Sequence, residues 1–233
     1  MANPDVKIIA LTAAVANGIS VSQTPGAAGN LTITGSLASG GVATLSSTNA
    51  KARRVLVSDA GSDAAVVFTI VGTDRYGNPI SETVTGVTSA TPIATKQDFQ
   101  TVTRVSTSAA TTGAITVGTN TVGSTDWIID NIMVTPFNIG VAVSISSGTA
   151  TYTVEHTYDD PNASLPGTIE PASYSPPLAW PDATLVTKTA NGETTLGYGP
   201  NSTGVVFAHR LTITAGTGTV VMQSIQAGNN NWG

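Results

Sequence analysis

The chain has 233 residues, of which 40% are hydrophobic and only 10% charged, with a net charge of −5 and no cysteine. That length buries a self-sufficient core in one large domain or two small ones, and the missing cysteines exclude disulfides, thiolate catalysis and Cys-ligated metals. Nine basic residues stand against fourteen acids, and the one basic cluster is Lys51, Arg53 and Arg54. No basic stripe is left for a phosphate backbone, so nucleic acid is not an expected partner.

In chain order, the opening MANPDVKIIALTAAVANG has one lysine and an apolar patch from Ile8 to Ala16, without a basic region before it. It reads as an extended arm over residues 1–30 rather than a signal peptide. No apolar run reaches the roughly 18 residues a membrane helix needs, so no membrane role is expected. Beyond the arm, helical periodicity is almost absent, while short runs rich in Thr and Val recur between Gly, Asn, Asp and Pro. Threonine's branched Cβ suits a pleated surface, and the pattern predicts an all-β fold. Strands are predicted at 31–37, 41–47, 54–59, 65–73, 80–87, 101–107 and 113–119. A second series follows at 127–135, 139–146, 150–158, 184–190, 204–214 and 219–226. Such spacing suits sandwiches or barrels.

The two series resemble each other, as tandem repeats do. RVLVSDAGSDAAVVFTIVGTD from Arg54 matches GVAVSISSGTATYTVEHTYDD from Gly140, with Phe68 against Tyr152. TRVSTSAATTGAITVG from Thr103 matches HRLTITAGTGTVVMQSIQ from His209, with Arg104 against Arg210. The offsets differ because the second half carries the Pro-rich stretch 161–181, which cannot donate to a strand ladder and reads as an insertion. The expected architecture is two tandem β-sandwich units, Ig-like or jelly-roll-like, at 31–120 and 121–233, joined near Gly118 to Thr125.

No constellation points to catalysis. TDRYGNP, with Asp74, Arg75, Tyr76 and Asn78, reads as a hairpin tip, because Gly and Asn-Pro set the backbone where paired strands reverse. A calcium role for Asp74 and Asn78, or for Asp159 and Asp160, would need six or more oxygens. His156 and His209 fall inside predicted strands and read as structural; a dyad would need a nucleophile beside one of them. Asp98, Asp126, Asp130 and Glu155 are the carboxylates from which a glycosidase pair would come, but sequence sets no separation between them. The expectation is therefore a non-enzyme with no catalytic residue, no cofactor and no metal. Trp127 opens an apolar strand and reads as core. Trp180, Trp232 and Tyr174, in the insertion or the tail, are the candidate partner contacts, since ring burial supplies much interface energy.

The phrases GVATLSS, RRVLVSDAGSDAAVVFTIVGTDRYGNPISETVTG, TPFNIG with TATYTVEHTYDDP, and RLTITAGTGTVVMQSIQAG together carry a resemblance. Over about residues 30–228 the chain resembles a family of small virion structural proteins of tailed bacteriophages. The resemblance implies a place in the virion, as a decoration or cement protein on the head. Its partners would be the major capsid protein and neighbouring copies of itself, as a homo-oligomer on the particle. A neck, tail or fibre-anchoring component is the alternative within virions. A carbohydrate-binding β-sandwich stacking sugars on Tyr152, Tyr158, Tyr174 or Trp180 is the alternative outside them.

Overall fold

The computed structural model describes residues 4–45, 52–86, 91–133, 137–161, 178–197 and 204–227. Among them there is no helix, so none long and apolar enough to cross a membrane, and every strand pairing specified below is antiparallel. The strands, in chain order, begin with β1 (Asp5–Ala10), β2 (Ser20–Gln23), β3 (Gly29–Asn30), β4 (Ala38–Ser39), β5 (Val42–Thr44) and β6 (Arg53–Asp59). Next come β7 (Val67–Thr73), β8 (Pro79–Thr85), β9 (Ile93–Phe99), β10 (Thr101–Thr107), β11 (Ile115–Thr119), β12 (Gly123–Ser124) and β13 (Ile128–Ile129). The last are β14 (Asn138–Ser147), β15 (Ala150–Thr157), β16 (Trp180–Pro181), β17 (Gly192–Gly197), β18 (Ala208–Gly216) and β19 (Thr219–Ala227).

The chain divides into two compact units. One, the inserted unit, is continuous over residues 12–123; the other, the split unit, comprises residues 4–11 together with the described residues from 124 to 227. The inserted unit has a sheet of order β2-β11-β6-β9 and a second of order β4-β5-β10-β7-β8, with β3 also on β10. The split unit has a sheet of order β1-β19-β14-β17 and a second of order β12-β18-β15-β16, with β13 also on β18.

These are the same wiring twice. In the inserted unit the outermost pair is β2 with β11, and inside it nest β5 with β10, β6 with β9, and β7 with β8. In the split unit β1 pairs with β19, β13 with β18, β14 with β17, and β15 with β16. The residue register agrees as well. Phe68 lies opposite Thr107 and Val71 opposite Arg104, while Tyr152 lies opposite Ile213 and Glu155 opposite Arg210. The equivalences of Phe68 with Tyr152 and Arg104 with Arg210, read from sequence, occupy equivalent ladder positions.

Alternation explains why these segments are strands. In β6 every second residue from Arg53 is buried, and in β7 Phe68, Ile70 and Gly72 point inward while Thr69 and Val71 do not. Side chains from both sheets of the inserted unit, among them Val55, Val57, Phe68, Ile70, Phe99, Val105, Ile115 and Val117, form one buried cluster. In the split unit the buried residues likewise come from both sheets: Ile9, Val141, Leu196 and Met222 from one, Tyr152, Val154, Leu211 and Ile213 from the other.

Several expectations are corrected. The first thirty residues, expected as an extended arm, hold β1, β2 and β3, and β1 completes the sheet of the unit farthest from it in sequence. Residues 31–37 alternate as foreseen but join no ladder: Leu31 bonds to Val105, whereas Gly35 and Leu37 bond to Ile19 and Gly18. A segment whose amides alternate between two sheets cannot extend a pairing in either. Residues 184–190 are also not a strand. The Asp182 carboxylate takes the amides of Thr184 and Leu185, Thr187 has a left-handed φ of 52°, and the strand forms after it as β17. Of the run predicted at 127–135, the described residues 127–133 hold a strand only at Ile128–Ile129.

TDRYGNP is the tip of the β7–β8 hairpin. The Asp74 carboxylate accepts from the Tyr76 and Asn78 amides and from Asn78 Nδ2, and Gly77 takes a φ of 85°. The carboxylate is thereby occupied by its own turn.

Candidate functional site

One row of residues in the split unit differs from the corresponding row of the inserted unit. Ile128 on β13 lies opposite His209 on β18, His209 opposite His156 on β15, and His156 opposite Trp180 on β16. Directly opposed residues share a face of the sheet. In the inserted unit the corresponding ladder position pairs Gly72 with Val102, next to a register shift between Val102 and Arg104. A Cβ on Gly72 would come within 1.8 Å of the Thr101 carbonyl oxygen, so only glycine fits there. The split unit has no irregularity at this point and seats two imidazoles instead.

Both histidines are inside, His209 at 1% and His156 at 5% exposure. His209 Nδ1 donates to Asp130, 2.9 Å from Oδ1 and 3.1 Å from Oδ2, which orients the ring and leaves Nε2 buried without a partner. His156 Nδ1 is also buried without a partner. Burial pushes the Asp130 carboxyl above its usual range against the pull of His209. Burial likewise holds His156 below the ordinary histidine value, with Asp182 acting the other way. Asp182 is itself fixed, accepting from the Thr184 and Leu185 amides and from Thr194 Oγ1.

The chemistry open to this cluster is limited. An aspartate–histidine pair is half of a nucleophile-activating triad, but among the described residues His209 Nε2 meets no hydroxyl. Among the described residues no three His, Cys, Asp or Glu side chains are placed to share a metal ion. The four carboxylates considered for glycoside cleavage are each beside a basic partner. Asp98 faces Arg54 at 3.9 Å and Arg75 at 3.6 Å, Asp126 faces Lys7 at 3.6 Å, Asp130 meets His209, and Glu155 meets Arg210 at 2.8 Å. Glu155 also accepts from Thr212 Oγ1. Trp127, expected in the core, is half-buried with the Arg210 guanidinium 4.4 Å over its ring.

At the edge of the same row lies an apolar rim. Trp180 is 48% exposed, Tyr158 53% and Leu178 61%. The Tyr158 ring stands edge-on to His156 with centroids 5.6 Å apart, and the Leu178 amide donates to Asp159 Oδ2. Trp180 is therefore a surface aromatic beside a second one. Tyr152 is not available for stacking: it is fully buried and donates its hydroxyl to the Ala190 carbonyl. Tyr174 and Trp232 lie outside the described residues.

Sequence reasoning missed a second polar cluster, Asp59 with Asp63 in the β6–β7 turn. Asp63 accepts from the Thr112 amide and hydroxyl, Asp59 Oδ1 accepts from the Gly61 amide, and Asp59 Oδ2 is buried without a hydrogen bond. Burial and the Asp63 charge push the Asp59 carboxyl up, whereas burial acts against Asp63's charge but is outweighed by the Thr112, Gly113 and Asp59 hydrogen bonds, which hold it down. A raised folded-state value means stability that is present in acid and lost as pH rises through that value. Asp59→Asn keeps an acceptor for Gly61 and supplies a permanent donor to Asp63. It is expected to raise the stability of the inserted unit at neutral pH and to flatten its decline from acid, as read by urea unfolding across a pH series.

No protein-family model and no curated protein matches the chain. Among solved structures, it is similar to allantoicase from Saccharomyces cerevisiae at 10% identity and TM-score 0.21, over 79% of this chain and 76% of that one. It is also similar to the STIV MCP at 8% identity and TM-score 0.18, over 95% and 96%. At such scores neither likeness carries an argument about fold or function.

Proposed function

We propose that each unit is a jelly-roll sandwich and that the chain is a structural protein of a tailed-phage virion, acting as a decoration protein on the outer head shell. Four nested strand pairs wound into two sheets are what a jelly roll is. The observation that carries the functional reading is the repeated strand order of the two units, coupled to the exposed Tyr158, Leu178 and Trp180 of the split unit. A scaffold poor in ionisable groups, whose four candidate carboxylates sit beside basic side chains, is suited to adhesion. Its partners in this reading are the major capsid protein and neighbouring copies on the particle, where repeated weak contacts add up through avidity.

The reading is tested on particles. Hundreds of copies per virion support head decoration, and a dozen or fewer point to the neck or tail. Trp180→Ala is expected to weaken attachment about tenfold or more, as loss of an interface aromatic does, while leaving the melting temperature unchanged because the side chain is half-exposed. Attachment unaltered by that change would remove the rim from the interface. The two exposed aromatics also suit a sugar ring, and glycan-array binding that is lost in Trp180→Ala would favour the carbohydrate-binding reading instead.

A further inference from the structure

We propose that the facing His156 and His209 make the split unit an acid-sensitive latch: mild acidification charges His156 in a buried setting, directly against His209, that cannot accommodate it, and loosens the β13–β18–β15–β16 sheet with its exposed rim. The fold does not require this pair, because the inserted unit closes the same ladder position with Gly72 and Val102. It is an addition made in one copy, at a cost. Directly opposed residues hold their Cβ atoms about 4.5–5.5 Å apart, so a charge on His156 falls directly against the His209 ring.

The surroundings offer little compensation. Each ring has a buried nitrogen with no partner, His156 Nδ1 and His209 Nε2, so a further N–H there finds no acceptor. Asp130 already holds His209 Nδ1. Asp182, the carboxylate acting on His156, is occupied by Thr184, Leu185 and Thr194. Glu155 and Arg210 satisfy each other from alternate positions on the same strands, which face the other side. Asp159 accepts from Leu178, the Tyr158 ring stands edge-on to His156, and Lys188 pairs with Tyr152 through its backbone. Glu193 lies on the edge strand β17, and β14 and β19 carry no ionisable side chain.

The direction follows from burial. With His156 held below its ordinary value of 6.5, the unfolded chain binds more protons than the folded one just beneath that pH. Stability is then full above 6.5 and falls as pH drops through the window below it. Asp130, held above its usual range, contributes in the opposite sense, so the acid response belongs to His156. The latch depends on the fold and not on the virion reading.

Hydrogen exchange on the full chain tests it, comparing about pH 7.5 with about pH 5.5, either side of the histidine value, after correction for intrinsic rates. Local opening of residues 150–157 and 208–216 is expected to increase about tenfold or more on acidification, one pH unit being worth that factor. Residues 67–73 and 101–107, the equivalent strands with no histidine, serve as the internal control and are expected to show no increase in opening on acidification, since the raised Asp59 and Glu82 carboxyls act in the opposite sense. His156→Leu should abolish the increase, and His156→Gln, which keeps polarity without titrating, should do the same if the leucine variant folds poorly. An equal increase in both units, or an increase that survives His156→Gln, overturns the proposal.

Discussion

Deletion of residues 1–11 is expected to destabilise the split unit by about 3 kcal/mol or more and to leave the inserted unit unaffected. Ile9 and Leu11 are each only 2% exposed, and fully burying one such side chain stabilises by roughly 1.5–3 kcal/mol. Their loss is compounded along the whole of β1, because the removed strand also satisfies one side of β19 from Thr219 to Ser224. Urea unfolding with exchange read separately over β19 and over β11 distinguishes the units. A truncation whose effect appears in β2 and β11, or in neither unit, would contradict the assignment of β1.

Phe68→Ala and Tyr152→Ala are expected to cost about 3–5 kcal/mol each, the range for emptying a large aromatic site in a close-packed core. Both rings are fully buried, and they occupy the same ladder position in two copies of one fold. Each substitution is expected to lower the unfolding transition of its own unit only. For Tyr152 the loss includes the hydroxyl bond to Ala190 at 2.8 Å, so Tyr152→Phe should account for about 1 kcal/mol of it. Calorimetry on the two alanine variants checks both the size and the separation of the effects.

Where a strand faces an apolar core on one side and water on the other, the sequence made it legible. β6 and β7 alternate cleanly, and the repeat was visible because Phe68 and Tyr152, or Arg104 and Arg210, hold equivalent ladder places. β9 was illegible for a physical reason. Its inward residues are Thr95, Gln97 and Phe99, so its buried face is largely polar. Those polar groups are fully employed: Thr95 Oγ1 accepts the Val55 amide, Gln97 Nε2 donates to the Ser81 carbonyl, and Glu82 accepts the Lys96 and Gln97 amides. Glu82 binds amides that the shift in the β6–β9 register leaves free, and burial there pushes its carboxyl up despite those bonds.

The candidate site was legible only in part. Trp180 was chosen for lying in a proline-rich stretch, and its exposure beside Tyr158 is a property of the β15–β16 pairing. His156 and His209 were read one at a time, because nothing in a linear sequence says that residues 53 positions apart are directly opposed. The repeat held that information: aligning Arg104 with Arg210 places His209 beside the position where the other copy has a bulge. A difference between two copies of one fold is a stronger pointer than either residue alone.

The account stands on the first strand completing the sheet of the last, and the absence of native cysteine makes that directly measurable. Ile8 and Val221 are register partners across β1 and β19, within the Cα separation a disulfide spans. The Ile8→Cys, Val221→Cys double variant is expected to form an intramolecular crosslink under mild oxidation, detected as a monomer of altered mobility that reverts on reduction. Free thiols in the folded protein, or crosslinks formed only between chains, would contradict it.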